Sequence, residues 1–406
     1  MSKIDKLIAE LCPAGVEFTE LRSVATYSST RIDASELDET TFVGVDNLLP
    51  NTSGKTIATY TANTSRLTAY EVGDILLGNI RPYLKKIWLA TNRGGCSGDV
   101  LAIRIANAHR SRLMPEFLYL LLASDDFFAY DMQHAKGAKM PRGSKEAILK
   151  YRIPIPPCEV QREIVKMLDA FTRLGAELDA EMESRKKQYS YYRDTLLQFE
   201  KNSSAQSLVR WGTLGELTTI VRGASPRPIQ SFVTNSESGI PWIKIGDVPT
   251  DGKYITKTAQ RVTPAGAEKS RRVFPGDFLL SNSMSFGRPY ITKIEGCIHD
   301  GWLSISSFKD SFLPDFLYHL LRSTPIQQEF YRRAGAGVVQ NLNADIVRSV
   351  SVPIPTLEEQ ARISNLLDKF ETLLNDPVIG LPAEIKARRQ QYEHYRSRLL
   401  TFKEAA

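Results

Sequence analysis

The chain has 406 residues, 42% hydrophobic and 24% charged, with a formal net charge of +6; this is the composition of a globular protein, not a fibrous, disordered or membrane-embedded one. The length exceeds one ordinary core and suits two domains of ~150 residues with connecting elements. The mild positive charge leans towards an acidic partner without histone-like basicity, and no run of about 18 apolar residues offers a membrane span.

The four cysteines, Cys12, Cys96, Cys158 and Cys297, are spaced too widely for a zinc knuckle, so no metal centre is expected. Their low number fits a reducing cytosol. Met1-Ser2-Lys3-Ile4-Asp5-Lys6 places charges where a signal peptide needs an apolar core. A cytoplasmic location follows as the expectation.

In chain order, the first ~155 residues mix short β-rich runs with turn signals. Thr41-Phe42-Val43-Gly44-Val45 and Val100-Leu101-Ala102-Ile103-Arg104 are strand candidates. One amphipathic helix is predicted from Pro115 to about Tyr130. Basic residues gather in two loops: Arg81, Lys85 and Lys86 in GNIRPYLKKIW, then Lys136, Lys139, Arg142 and Lys145 in KGAKMPRGSK. Glycines in the second loop permit close backbone approach to a ligand.

From Ile164 onwards the apolar positions step alternately by four and three: Ile164, Leu168, Phe171, then Leu178, Met182, then Tyr189, Tyr192, Leu196 and Phe199, with Gly175 and Arg185 as breaks. That is a coiled-coil seam. It predicts a helix over about 158–200, ~65 Å long at ~1.5 Å per residue.

A second α+β body follows, with Trp242-Ile243-Lys244-Ile245 as a strand and one helix from Pro314 to about Arg332. Its polar loop residues are the cluster Lys269, Arg271 and Arg272; Ser281, Asn282, Ser283, Ser285 and Arg288 in SNSMSFGRPY; His299 and Trp302 in CIHDGW; and Gln340 and Asn341. Arginine and lysine contact phosphates, arginine reads guanine, and asparagine and glutamine read adenine edges. All the named polar loop residues, Trp302 apart, are therefore DNA-contact candidates. A second seam runs through Ile363, Leu367, Phe370 and Leu374 and resumes at Ile385, Tyr392, Tyr395, Leu399 and Phe402. Between them, Asp376-Pro377 and Gly380-Leu381-Pro382 predict a break. Thr356 and Glu359 form a capping-box pattern at the start of this helix.

The second half repeats the first. IPIPPCEVQREI (153–164) matches VPIPTLEEQARI (352–363) at an offset of 199, and QYSYYRDTLLQF (188–199) matches QYEHYRSRLLTF (391–402) at 203. Pro115-Glu116-Phe117-Leu118-Tyr119 likewise matches Pro314-Asp315-Phe316-Leu317-Tyr318. A period near 200 is a duplicated domain, too long for a solenoid repeat. The tails agree best and the bodies least. Two like stripes far apart in the chain are natural partners, and an antiparallel pairing would put the two bodies at opposite ends of a rod. The expected fold is therefore α+β: two domains with mixed, β-rich sheets, separated by two long helices paired as an antiparallel coiled coil with pseudo-two-fold internal symmetry. The divisions are 1–155, 156–203, 204–354 and 355–406.

Catalytic signatures are missing. Ser53-Gly54-Lys55-Thr56 imitates the end of a phosphate-binding loop, but Leu49 stands where that motif needs glycine. No GxGxxG, HExxH, GxSxG or Asn-Pro-Pro-Tyr/Phe sequence occurs, and His109, His134, His299, His319 and His394 show no ligand spacing. A chain without its own active site or cofactor is expected. One alternative is a coiled-coil scaffold that touches no nucleic acid; it explains the tails and leaves the basic loops unexplained.

The doubled 153–164/352–363 block with its heptad helices, together with VGDILLGNIRPYL, NSMSFGRPYI and GCIHDGW, resembles the specificity subunit of type I restriction–modification systems over nearly the full length. The resemblance implies that each body is a target recognition domain for one half of a bipartite, asymmetric site in double-stranded DNA. It implies that the paired helices set the gap and form a docking scaffold. Two adenine-N6 methyltransferase subunits and restriction/translocase subunits would be the partners. S-adenosylmethionine, ATP and Mg²⁺ would belong to them.

Overall fold

The repeated sequence builds a repeated structure, seen here in a computed structural model that describes residues 3–60, 64–200, 209–248, 252–282, 285–334 and 341–405. The chain forms two compact units. One comprises Met1–Glu177 with Ala387–Ala406, and the other Leu178–Lys386. Both long helical regions are cut by this division, because each half of a helix packs into the unit beside it.

In the first unit, Glu17–Glu20 pairs antiparallel with Arg152–Ile155, the strand that leads into the first long helix. This ribbon brings the two ends of the body together. Between them lie two four-stranded sheets. One orders Ala25–Tyr27, Val100–Ile105, Ile75–Gly78 and Ile87–Leu89, all antiparallel. The other orders Arg31–Asp33, Arg66–Tyr70, Gly94–Cys96 and Phe42–Val43, the last pair parallel. The second unit repeats the ribbon with Arg210–Thr213 against Ser351–Ile354 and carries two five-stranded sheets, each with one parallel pair. The architecture is α+β with mixed sheets, as the patterning predicts.

The single helix expected after Val100–Ile105 is two helices, Pro115–Leu122 and Asp125–Gln133. Ser124 separates them: its backbone is extended and its hydroxyl accepts from Phe127 N–H, an N-cap that restarts the helix. The second body is corrected in the same way, into Pro314–Arg322 and Thr324–Ala334 with Ser323 extended between them. The strand expected over Thr41–Val45 shortens to Phe42–Val43, because Gly44 N–H turns to the Asn47 side chain instead of the sheet.

The first long helix runs Cys158–Leu196, about 58 Å at ~1.5 Å per residue. The second region is broken as expected, into Leu357–Asn375 and Leu381–Leu400. Asp376 caps the break by accepting from Val378 and Ile379 N–H. The capping box at Thr356 is half formed. Its hydroxyl accepts from Glu359 N–H, while the Glu359 carboxylate turns to Arg362.

The seams pair, and in opposite directions. Phe171 stacks on Tyr395 with ring centroids 5.4 Å apart, and Tyr192 lies 5.7 Å from Phe370. Rising numbers in one helix meet falling numbers in the other, which is antiparallel. The seam also faces the bodies. In the first unit Ile164, Leu168 and Leu399, with Tyr392, Tyr395 and Phe402 at the margin, share one core with Phe117, Leu121 and Ile153. In the second, Tyr189, Ile363, Leu367 and Leu374, with Met182, Leu196, Phe199 and Phe370, share one with Phe316, Leu317 and Leu320. Leu178 and Ile385 are half-buried. Each helix end is thus soldered to its own body.

Candidate nucleic-acid interface

In the first unit the two predicted basic loops are one structure. Arg81 N–H donates to Pro141 O at 2.7 Å, Gly143 N–H to Asn79 O at 3.0 Å, and Lys136 and Arg142 exchange backbone hydrogen bonds at 2.9 Å. Arg81 and Lys85 both have left-handed backbones, φ 53° and 51°, at the two ends of the short turn Pro82–Leu84. Non-glycine residues hold that conformation only where surrounding structure imposes it. Lys136, Lys139, Arg142 and Lys145 are exposed, and Arg142 pairs with Asp99 at 3.2 Å. Lys85 pairs with Asp125 at 2.6 Å, and Lys86 donates to Val45 O at 2.7 Å. These two lysines therefore hold the turn as well as adding charge.

In the second unit the loop is built differently. Ser281 and Asn282 are buried. The Ser281 hydroxyl donates to Ser285 O and accepts from Arg288 N–H at 3.2 Å; Asn282 Nδ2 donates to Asp300 O at 2.9 Å. Both shape the loop from inside, which corrects the expectation that their side chains are displayed. Ser285 is exposed with φ 54°, and the Arg288 guanidinium lies 5.3 Å from the centre of the Tyr290 ring. His299 accepts from Gly301 N–H at 2.8 Å, and burial holds its imidazole below the usual histidine range. Trp302 is wholly buried core. Lys269, Arg271 and Arg272 are exposed, Lys269 over the Phe232 ring at 4.7 Å and Arg272 beside Glu295 at 3.3 Å. Asn341 is exposed next to buried Leu342. Ser283 and Gln340 lie outside the described residues.

Three features have no signature in the sequence. The first is a pair of buried glutamines, Gln161 and Gln360, at equivalent positions of the repeat. The second is a pair of buried arginines at the equivalent positions 193 and 396. Arg396 donates to Ala123 O at 2.6 Å, and Arg193 reaches Thr324 Oγ1 at 3.4 Å. The third is an ion network in the second unit. Lys253 bridges Asp315 and Asp368 at 2.6 and 3.1 Å, His319 Nε2 meets Asp368 Oδ1 at 2.9 Å, Tyr189 OH meets His319 Nδ1 at 3.2 Å, and Arg322 pairs with Glu371. Burial alone would lower the Lys253 ammonium, but Asp315 and Asp368 outweigh it and raise it to about 12. Burial works against the Asp368 carboxylate as well, yet His319 and Lys253 hold it below its ordinary value. His319, Asp368 and Glu371 offer ligand atoms within 4.8 Å of one another, but Lys253 and Arg322 already neutralise those carboxylates. The cluster therefore works as an ion-pair bridge between body and helices.

Two like bodies with basic, glycine-containing loops, each closed by half of an antiparallel helix pair, define a duplicated α+β scaffold. The chain belongs to the type I restriction modification DNA specificity domain family, whose model matches residues 13–184 and again 209–387. It is 33% identical over 269 residues to the EcoR124I/EcoR124II type I restriction enzyme specificity subunit of Escherichia coli, an alignment covering 62% of this chain and 63% of that subunit's length. It is 33% identical over 311 residues to a putative type I restriction enzyme specificity subunit of Haemophilus influenzae, covering 72% and 74%. The fold matches a chain solved in work on complex assembly and conformational transition of the type I R-M system, with TM-score 0.70, 21% identity and coverage of 95% and 97%. It also matches the HsdS subunit of Thermoanaerobacter tengcongensis, with TM-score 0.57, 21% identity and coverage of 96% and 97%. Among the described residues no helix is long and apolar enough to cross a membrane.

Proposed function

We propose that this chain is the DNA-reading, non-catalytic subunit of a type I restriction–modification complex, with one body for each half of a bipartite asymmetric site. The observation that carries this is the contrast inside the repeat. Helix-to-body joints recur residue for residue, as at Gln161 and Gln360, while the loops differ in length, charge and internal bonding. Like joints with unlike loops suit one scaffold holding two different readers. Exposed basic groups supply the phosphate attraction, and bidentate contacts of about 1–3 kcal/mol each supply base choice.

In the first body the readers are Arg81, Lys136, Lys139, Arg142 and Lys145, with Lys85 and Lys86 supporting the turn. In the second they are Ser285, Arg288, His299 and Asn341, flanked by Lys269, Arg271 and Arg272. The divisions 1–155 and 204–354 are the target recognition domains, and the helical regions 156–203 and 355–406 are ruler and docking scaffold. Two adenine-N6 methyltransferase subunits bind there with S-adenosylmethionine, and restriction/translocase subunits bring ATP and Mg²⁺ chemistry. The test is methylome sequencing of a host expressing this chain with its companion methyltransferase. A bipartite methyl-adenine motif with unlike halves is expected; a palindromic motif, or no new methylation in a proven assembly, contradicts the proposal.

A further inference from the structure

Beneath the joined loops of the first unit lie three buried side-chain oxygens, of Asp131 and Asn79, that no donor reaches. Asp131 is wholly buried on the helix Asp125–Gln133, beside Phe127 and Phe128. Asn79 is 6% exposed. Both Asp131 carboxylate oxygens and Asn79 Oδ1 are buried with no hydrogen-bond partner. They converge on Gly143: a Cβ there would stand 2.4 and 3.0 Å from Asp131 Oδ1 and Oδ2, and 2.9 Å from Asn79 Oδ1. Unpartnered buried acceptors are costly, and a carboxylate without a counter-charge is costlier still. The backbones that carry these oxygens are those that carry the basic loop, since Gly143 N–H bonds Asn79 O and Arg81 N–H bonds Pro141 O.

We propose that Asp131 is a positioning residue held as a carboxylic acid: its O–H donates to Asn79 Oδ1 and latches the loop bearing Arg81 and Arg142. One proton removes the uncompensated charge and gives Asn79 Oδ1 a donor, since a protonated carboxyl supplies one O–H. The repeat supports a specific role. At the equivalent positions of the second unit stand Phe330 and Leu342, both fully buried, and Asn282 finds its own acceptor in Asp300 O. A polar latch thus replaces an apolar plug in one body only. Burial pushes the Asp131 carboxyl up to about 6, opposed by His134. Other ionisable groups on the surrounding segments include Tyr27, whose hydroxyl donates to Lys145 O, Tyr130, whose hydroxyl donates to Ala147 O, the Asp99–Arg142 pair, Arg81, Lys136 and Lys145. Phosphates arriving over this loop would raise Asp131 further, so DNA binding at the first half-site takes up a proton. That last step rests on the DNA-reading proposal; the latch itself does not.

The test is difference infrared spectroscopy of the full chain against Asp131→Asn between pH 5 and 8, with hydrogen exchange at the Arg81 and Gly143 amides. The parent-minus-variant difference spectrum should show an acid carbonyl band at the low end that fades as pH rises. The parent amides should lose protection as pH rises, beyond the intrinsic rate increase, while the variant, whose Nδ2–H donates to the same oxygen, stays protected. Asn79→Asp gives a second readout: two carboxyls sharing one proton should carry the acid band to higher pH. Absence of any acid band, or identical exchange profiles in parent and Asp131→Asn, overturns the latch, as does protection restored by added Mg²⁺ or K⁺ without such a band. Calorimetry with DNA in buffers of different ionisation enthalpy then tests proton uptake. A chain with the acid band but no uptake separates failure of the DNA reading from failure of the latch.

Discussion

Gln161 holds the backbone of Met114: its Oε1 accepts from Met114 N–H at 2.9 Å, while its Nε2 donates to Arg112 O and to Pro156 O, both at 2.7 Å. Gln360 does the same to Leu313, Ser311 and Pro355, at 2.8, 2.8 and 3.0 Å. Both side chains are fully buried. Each glutamine thereby ties the start of a long helix to the loop that opens the body's helical layer. Gln161→Ala orphans one donor and two acceptors and should cost about 3 kcal/mol, read as a lower denaturation midpoint of the first unit. Gln161→Glu keeps the shape but faces two carbonyls with a group that cannot donate. It should destabilise at least as much; a neutral Gln161→Glu would refute the clamp.

The two units should lose stability at opposite ends of the pH scale, the first as pH rises and the second only in acid. Asp131 sits above its unfolded value of about 4, so its contribution is complete below that and is lost as pH rises through about 6. Over some two pH units this amounts to about 3 kcal/mol. Asp368 sits below its ordinary value; its contribution is present above about pH 4 and is lost as pH falls through the folded value. Unit-resolved hydrogen exchange between pH 4 and 7 should therefore show the first unit weakening with rising pH and the second unchanged.

His319 stands where the first unit has Leu120. His319→Leu removes the bridge from Tyr189 to Asp368 and should destabilise the second unit by about 2 kcal/mol. The acid limb of its pH–stability curve should move upward, since Asp368 then relies on Lys253 alone. An unmoved limb would show that Lys253 does the whole task.

Gly143 and Asp131 should be coupled. A methyl group at Gly143 meets the Asp131 carboxylate at 2.4 Å, so Gly143→Ala should be severe in the parent and mild in Asp131→Ala. Additive effects in the double-mutant cycle would separate the two residues.

Much of this architecture was legible because periodicity and duplication are properties of sequence. The long helices, the break after Leu374 and the pairing of like seams follow from the spacing of Ile164, Leu168, Tyr392 and Leu399. The helix after Pro115 reads as continuous because its apolar pattern runs on through Ser124, and a serine hydroxyl that restarts a helix leaves that pattern intact. The basic loops were visible as composition, but their joining through Arg81 and Pro141 is a tertiary contact between segments some 60 residues apart. Asp131 left one trace, a carboxylate on the face of Phe127 and Phe128. Ser281 and Asn282 read as displayed groups because a short polar side chain in a loop looks the same whether it faces solvent or its own backbone.

Charge reversal should separate the two readers. Arg142→Glu should abolish methylation at the site while leaving assembly with the methyltransferase intact, because the residue is exposed and pairs only at the surface with Asp99. Arg288→Glu should do the same through the other half-site. Loss of assembly in either variant would assign these loops to docking.

The central claim is that each body reads its own half of the target. The direct measurement is the methylated motif after residues 214–350 are exchanged for the equivalent segment of a relative with a different motif. One half should change and the other half remain, at the same spacing. A motif that changes in both halves, or in neither, would contradict the account.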